Sequence, residues 1–261
     1  MLQKKLLISY LFVIVYSVVN AQTSPGKNEI GLNIGGLFYQ GDLSADLVGS
    51  YKTAKPVVGI FYNRVLTPYF SARANFVLGS LAGDDAKNEK PPYMRMRNFN
   101  FHSPLAELSA MIVFNPFGNN NNTEINKLSP YVFAGAGVSF LDIHRDWSRI
   151  DSAMFHGSTN TTLNGLIKDT NTTTPRAIPV VPVGVGLKYA ILPRISLAVE
   201  ANYRFLFTDY LDGFSYAANP ERRDSYYSLT IGISYNFGGD GNGSGGWRKP
   251  GKSKTDCPKV F

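Results

Sequence analysis

The chain has 261 residues, of which 44% are hydrophobic, 13% are aromatic and only 17% are charged. Soluble domains carry roughly 25% charged residues, so this composition favours a protein that exposes apolar surface. The formal net charge is +7, but Lys4 and Lys5 at the start contribute +2 and residues 238–261 contribute +3, which leaves only +2 for the middle. The high isoelectric point therefore belongs to the two ends, which argues against a nucleic-acid-binding face.

Residues 1–21 are predicted to be a secretory signal peptide. A charged start is followed by an apolar core over residues 6–19 and by a small-residue cleavage site at 19–21. No later segment is long and apolar enough for a transmembrane helix, so a membrane-spanning form must be a closed barrel. Cys257 is the single cysteine and cannot form an internal disulfide, which leaves a free thiol or an intermolecular bond.

Period-2 alternation of apolar and small or polar residues predicts eight strands. The first four cover residues 29–40, 56–64, 69–80 and 99–114. The last four cover residues 130–142, 178–190, 195–207 and 225–237. From Tyr227 to Phe237 one face carries only large apolar or aromatic side chains and the other only small or polar ones, which is typical of a strand between lipid and a narrow polar lumen. The large members are Tyr227, Leu229, Ile231, Ile233, Tyr235 and Phe237.

The connections alternate in length. Tight turns at Thr67-Pro68 and Leu192-Pro193 fall on one end of an even-stranded meander, and the longest irregular stretch, 143–177, falls on the other. Short periplasmic turns and long outer loops are the expected asymmetry of outer-membrane barrels. We therefore predict that residues 22–237 form an eight-stranded antiparallel up-and-down transmembrane β-barrel in the outer membrane of a Gram-negative bacterium, surrounded by its lipids, with both termini in the periplasm.

Residues 238–261 begin with a Gly/Ser linker and continue as a basic segment that is poor in apolar residues. We expect this tail to be disordered in the periplasm, or ordered only on a partner. Its candidate partner-docking residues are Arg248, Lys249, Lys252 and Lys254.

Charged residues on the inward face are the next candidates. Because charges in a narrow lumen must be paired and hydrogen-bonded, these residues predict a salt-bridge network that fills the barrel. A proton or ion path is the alternative. The predicted lumen network consists of Arg73, Glu107, Lys188, Glu200 and Arg204.

Catalysis finds little support. The pair His102-Ser103 resembles part of a lipid hydrolase site, but adjacent strand residues point to opposite faces. His144 and His156 have no carboxylate at metal-ligand spacing, and no phosphate-binding loop or nucleophile elbow is present. We expect a protein without enzyme activity, bound metal or cofactor.

Several motifs resemble the PorG-like outer-membrane barrel family of Bacteroidetes, which includes the barrel component of the type IX (gliding-linked) secretion system. They are LFYQGDLS (37–44), RNFNFHSPLAELSAMIVFNPF (97–117), LSPYVFAGAGVSF (128–140), PVGVGLKY (182–189) and TDYLDGFS (208–215). The resemblance implies a non-enzymatic barrel that associates with a periplasmic ring of a lipoprotein and its partner protein.

Residues that match the family motifs lie at the outer ends of the first and seventh predicted strands. We interpret them as residues that order the loops, with the glycine making a turn and the aspartates accepting hydrogen bonds from loop backbone. They are Tyr39, Gln40, Gly41, Asp42, Thr208, Asp209, Tyr210, Leu211 and Asp212.

Three hypotheses on function remain. The main one is a structural component of the secretion apparatus. The second is a stand-alone surface barrel whose long loops bind a ligand or a surface. The third, lipid hydrolysis, predicts that a His102→Ala substitution changes the composition of lipid A.

Overall fold

The computed structural model describes residues 28–44, 50–87, 92–118, 120, 128–150, 161–208, 210–217 and 224–237. Its strands are β1 (Asn28–Gln40), β2 (Lys55–Val65), β3 (Phe70–Asp84), β4 (Asn100–Phe114), β5 (Leu128–Leu141), β6 (His144–Arg145), β7 (Ala177–Leu192), β8 (Ile195–Leu206) and β9 (Ser225–Phe237). Its α-helices are α1 (Pro92–Arg97) and α2 (Thr161–Asn171). The predicted signal peptide, the basic tail with Cys257, and Asp209 lie outside the described residues.

The eight long strands close into an antiparallel barrel. Each pairs with the long strand that follows it, and β1 pairs with β9 from Asn28↔Phe237 to Gln40↔Ser225. Closure leaves no free sheet edge, which is the condition for spanning a bilayer with strands. The predicted eight-stranded up-and-down barrel is therefore confirmed. The ninth strand, β6, adds two residues beside β4, where His144 lies opposite His102.

Some strands extend beyond their predicted limits. The prediction ended the third strand at residue 80, whereas β3 continues to Asp84, which pairs with Asn100 of β4. Backbone pairing continues there although the outward alternation of large apolar residues has stopped. The hydrogen-bonded β3–β4 pairing is thus longer than the lipid-facing part of β3, which is the only part that the apolar pattern can predict.

The two ends of the barrel differ in their connections. At the turn end lie residues 66–69, 115–118 and 193–194, together with the first residue of β1 and the last residue of β9. At the loop end lie the described parts of the connections β1–β2, β3–β4, β5–β7 and β8–β9. The terminal strands therefore begin and finish at the same end of the barrel.

The outward face is a band of large apolar side chains. Leu32, Val199 and Ile231 are 54%, 58% and 60% exposed, and every long strand contributes similar residues. An apolar surface of this kind is stable against hydrocarbon, as on the outer face of transmembrane barrels. In the described part of the chain, no helix is both long and apolar enough to cross a membrane.

Glycines on the inner face make room for aromatic rings. A Cβ atom on Gly184 would overlap the ring of Phe133, and one on Gly186 would overlap the ring of Tyr131. Both rings belong to β5 and turn into the lumen beside β7. The small inward residues of one strand thus accommodate the large inward residues of its neighbour, which fills the interior.

Candidate functional site

Three buried ion pairs fill the lumen from the turn end to about the level of Glu107, in the middle of β4. Lys188 Nζ lies 2.6 Å from Glu29 Oε1, and Arg73 Nη1 lies 2.7 Å from Glu200 Oε1. Arg204 Nε lies 3.1 Å from Glu107 Oε2. We call the region of these six side chains the polar half. Its three cations and three anions balance, so these pairs bring no net charge into the barrel.

The Arg73–Glu200 pair is the most heavily supported. Glu200 also accepts hydrogen bonds from Tyr131 Oη at 2.5 Å and from Asn33 Nδ2 at 3.2 Å. The guanidinium of Arg73 lies 4.4 Å from the ring centroid of Phe61. Hydrogen bonds and the face of an aromatic ring replace the water that both charges lose on burial.

The Arg204–Glu107 pair lies deepest, with side-chain exposures of 2% and 0%. Tyr226 Oη donates a second hydrogen bond to Glu107, at 2.9 Å. Arg204 Nη1 donates to Ser228 Oγ at 2.5 Å and to the carbonyl oxygen of Asn202 at 3.0 Å. The pair is therefore enclosed by hydrogen-bonding groups from β4, β8 and β9.

The structure places the five predicted lumen residues in these pairs and adds Glu29, which the sequence analysis missed. Glu29 is 2% exposed and binds both Lys188 and Asn63 Nδ2. A signal was available, because Glu29 shares the inward parity of Asn33 on the same strand. Glu29 is the first residue of the predicted strand, and the sequence does not show whether a side chain at a strand end lies inside the lumen.

Nearer the loop end the interior is apolar, which differs from the polar lumen expected from the sequence. The reason is that inward positions become large and apolar towards this end of most strands, as at Leu81 and Leu105, and that loop residues fold in to meet them. We call this region the apolar half. Its buried members are Leu37, Tyr39, Leu43, Val57, Val77, Leu81, Phe99, Phe101, Leu105, Leu141, Ile143, Leu166, Ile178, Val180, Leu206, Leu211, Phe214, Ala217 and Tyr226.

Loop residues form the centre of the apolar half. The rings of Phe99 and Phe214 stack with centroids 4.6 Å apart, and Trp147 packs edge-on against Phe214 at 5.3 Å. Leu166 of α2 belongs to the same cluster. Three loops thus share one core inside the barrel mouth, and this core covers the polar half.

A buried hydrogen-bonded group, which we call the latch, fastens the β8–β9 loop to β1. It consists of Tyr39, Asp212 and Asp224. Tyr39 Oη lies 2.6 Å from Asp212 Oδ2 and 2.8 Å from Asp224 Oδ1. Asp224 also accepts the backbone N–H of Leu211 at 3.1 Å, and Asp212 accepts that of Phe214 at 2.8 Å. The two carboxylates therefore order the loop backbone that carries the buried apolar residues.

Gly41 of the predicted motif stands against the latch. A Cβ atom there would overlap both Tyr39 Oη and Asp224 Oδ1, so only glycine leaves room for the contact. Gly41 also begins a turn, in which its carbonyl oxygen accepts from Ser44 N at 3.0 Å. The close approach of Tyr39 and Asp224 is thus a second reason why glycine is required at position 41, besides the predicted turn.

A second fastening joins the β3–β4 loop to the β1–β2 loop. Arg97 Nε donates to Asp85 Oδ2 at 2.5 Å, and its Nη2 donates to the carbonyl oxygen of Asp42 at 2.7 Å. Asp85 also accepts the backbone N–H of Phe99. Burial raises the pKa of the Asp85 carboxyl above its usual range, although Arg97 opposes this shift.

A third fastening surrounds Asp169 of α2. Its carboxylate accepts the backbone N–H groups of Tyr216 and Ala217, at 3.1 and 2.8 Å, and lies 3.4 Å from Tyr210 Oη. Arg145 donates to the carbonyl oxygen of Asp169 at 2.7 Å. Burial lowers the pKa of Arg145, against the raising effect of Asp169, and burial also raises the pKa of Tyr210.

The candidate hydrolase residues are not brought together. Ser103 is fully buried inside the barrel, whereas His102 is exposed on the outer wall, with its ring centroid 6.4 Å from that of His144. The described residues contain no group of three or more His, Cys, Asp or Glu side chains that could hold a metal ion. His156 lies outside the described residues.

The sequence profile of a family described as "Domain of unknown function (DUF6089)" matches residues 4–236. The chain belongs to this family. No curated protein has a matching sequence. With its closed barrel and apolar outer band, this family member is an outer-membrane β-barrel.

Solved structures with a similar backbone include three bacterial proteins. Ail of Yersinia pestis is 13% identical, with 81% of this chain and 99% of Ail aligned at a TM-score of 0.44. Neisserial surface protein A is 13% identical, with 80% and 97% aligned at a TM-score of 0.45. OprG of Pseudomonas aeruginosa is 9% identical, with 81% and 96% aligned at a TM-score of 0.42.

Proposed function

We propose that this outer-membrane barrel is a non-enzymatic structural component of the type IX protein secretion machinery. In this proposal the barrel anchors and docks a periplasmic ring complex that consists of a lipoprotein and its partner protein. The observation that carries the proposal is the filled interior. Side chains of the polar half and the apolar half occupy the lumen from the turn end to the loop mouth, so the useful surfaces of the protein are its outside and its ends.

The resemblance to the PorG-like family supports the same function. Two of its motif residues, Tyr39 and Asp212, belong to the latch, and a third, Tyr210, lies beside Asp169. These residues order the loops, as expected for a motif that maintains the barrel rather than one that performs chemistry. The match therefore rests on residues with a physical role in this fold.

The position of the chain ends supports docking on the periplasmic side. β9 finishes with Phe237 at the turn end, and the basic segment follows Phe237 in the sequence. In the proposed orientation the turn end faces the periplasm. The four cations Arg248, Lys249, Lys252 and Lys254 follow a Gly/Ser-rich stretch of the sequence, and their charge suits an acidic partner surface.

Co-purification from membranes tests the proposal. We expect the full-length barrel to recover periplasmic ring proteins, and a variant without residues 238–261 to recover several-fold less. Replacing the four tail cations by glutamate should reproduce the truncation. Replacing four exposed cations of the loop end, Lys52, Lys87, Arg95 and Arg176, by glutamate is the charge-matched control and should have no effect.

The possible outcomes distinguish a failure of docking through the tail from a failure of the proposed function. Equal recovery with and without the tail would leave docking to the turns alone. Recovery of no periplasmic protein by the full-length barrel, together with unchanged secretion in a deletion strain, would contradict the proposed function.

A stand-alone surface barrel is the second candidate, and the ordered loops favour it. Lys168 Nζ lies 3.3 Å from the ring centroid of Tyr216, and Tyr216 is 41% exposed. Deleting 144–176 would remove Arg145 and Leu166 and so uncover the apolar half. Lys168→Glu with Tyr216→Ala is the cleaner test, because it should abolish surface binding and spare secretion if this function is correct.

The proposed lack of enzyme activity has its own test. His102 lies on the outer wall and Ser103 inside it, so we expect His102→Ala to leave the composition of lipid A unchanged. A changed acylation pattern, measured by mass spectrometry of lipid A from matched strains, would contradict a non-enzymatic function.

A further inference from the structure

The barrel wall has a step at the loop end of β8. The β7–β8 ladder ends at Val180↔Leu206, whereas β7 continues back to Ala177, which pairs with β5. On the other side, the β8–β9 ladder ends at Phe205↔Ser225. On the β7 side the wall therefore continues beyond a strand that stops short.

The chain that follows β8 does not fill this step, because it turns into the barrel. Leu211 and Phe214 are fully buried in the apolar half. The space left in the wall is a crevice of about 350 Å³, a volume at the lower end of the range for small-molecule sites. We call it the wall crevice. Its lining residues are Val181, Tyr203, Phe205, Leu206, Phe207, Asp224 and Ser225.

The walls of the crevice continue the lipid-facing band. Val181 and Phe205 are cross-strand partners on the outward face, and Phe205 and Phe207 are 50% and 61% exposed. The ring centroids of Tyr203 and Phe205 lie 4.8 Å apart. An opening with these walls excludes water and matches an apolar occupant.

The inner end of the crevice is polar and belongs to the latch. Tyr203 Oη donates to Ser225 Oγ at 2.6 Å, so its hydroxyl is bound within the wall. Asp224 lies behind it, 2% exposed, with its carboxylate on Tyr39 and on the loop backbone. An occupant of the crevice therefore packs against the outer side of the group that fastens the β8–β9 loop.

We propose that the wall crevice holds one acyl chain of a lipid from the surrounding leaflet. The crevice is continuous with the surface that already faces hydrocarbon, so the leaflet itself supplies the occupant at high local concentration. An empty crevice would leave its apolar walls without contacts, and water there would find few hydrogen-bond partners. The held chain completes the wall where β8 is missing and shields the latch from solvent. This inference does not depend on a role in secretion.

Native mass spectrometry of the full-length protein tests it. The protein is reconstituted in vesicles of phosphatidylethanolamine with deuterated acyl chains and then released into detergent. We expect one retained lipid with the mass of the deuterated species. Val181→Phe should fill the crevice and reduce that adduct about tenfold, which corresponds to roughly 1.4 kcal/mol.

Val185→Phe is the matched control. Val185 lies on the same strand and face, is 56% exposed, and pairs with Ala201 in the unbroken wall. This variant should retain the lipid like the wild type, and circular dichroism should show the same strand content in all three proteins. Absence of an adduct from the wild type, an adduct with the mass of the detergent, or equal retention by both valine variants would overturn the proposal.

Discussion

The polar half and the apolar half of one lumen solve the same packing problem with different chemistry. Around Arg73 and Glu200 the interior is filled by long charged side chains that satisfy one another across the barrel. Around Phe214 it is filled by rings that the loops bring in from outside the wall. The polar half is thus built by strands alone, whereas the apolar half needs folded loops. Damage to the first should threaten the barrel, and damage to the second should free the loops.

The largest expected effect lies in the polar half. Arg204→Met leaves Glu107 fully buried without its cation, and breaking such a pair costs about 3–5 kcal/mol of unfolding free energy. Urea unfolding of the barrel in lipid vesicles would measure the loss. The double variant Arg204→Met with Glu107→Leu should recover most of it. Equal losses in the single and double variants would show that the charge itself is not the cause.

Phe214→Ala should act on the loops. Removing a fully buried phenylalanine costs about 3 kcal/mol, but Phe214 belongs to the β8–β9 loop, so this energy holds the loop and not the strands. Limited proteolysis should cut the loops faster and leave an intact barrel. Ile167→Ala, at a 54% exposed position of α2, is the control and should change little. Global unfolding by Phe214→Ala would contradict the division into two halves.

Tyr39→Phe should loosen the latch. It removes the hydroxyl that lies between Asp212 and Asp224, and buried carboxylate oxygens that lose a donor cost about 1–3 kcal/mol. Hydrogen exchange of backbone amides in 207–217 should accelerate while the strands stay protected. Tyr235→Phe is the control and should leave exchange unchanged, because the Tyr235 hydroxyl is exposed at the turn end and accepts a long hydrogen bond from Arg194, at 3.4 Å.

Lys188→Met should cost less than Arg204→Met, about 1–2 kcal/mol, because Lys188 is 21% exposed and Asn63 still donates to the Glu29 that remains. The same urea titration would compare the two variants directly. A loss as large as that of Arg204→Met would mean that the polar half is equally dry at the turn end.

The smallest effect concerns pH. Hydrogen bonds from Ser148 lower the pKa of exposed Asp146, so the turn at Trp147–Arg149 is stabilised above the ordinary carboxyl pKa and loses this stabilisation as pH falls through the lowered value. In a protein with Trp247→Phe, the fluorescence of Trp147 should change below about pH 4. Asp146→Asn should remove that transition.

The barrel could be predicted because the alternation of side chains within each strand indicates which face contacts lipid and which faces the lumen. In β9 the alternation of Ile231 and Ile233 with Gly232 assigns both faces without knowledge of any other strand. Closure then followed from the even number of strands and the alternating lengths of their connections. These are local patterns, so one chain is enough to read them.

The arrangement inside the lumen could be predicted only in part. The inward parity of Arg73, Glu107 and Glu200 is local, but which cation meets which anion depends on the stagger of the closed barrel. The apolar half could have been predicted in part, because Leu81 and Leu105 are large apolar residues at inward positions. The contact between Phe99 and Phe214 could not, because two loops far apart in the sequence create it.

The ion pairs also constrain how the barrel can assemble. Their partners are separated by 159, 127 and 97 residues along the chain, so no pair can form within a single hairpin. A sheet that entered the bilayer before curling shut would carry six lone charges into hydrocarbon. Insertion must therefore coincide with the meeting of distant strands, which favours a concerted final step over the addition of one hairpin at a time.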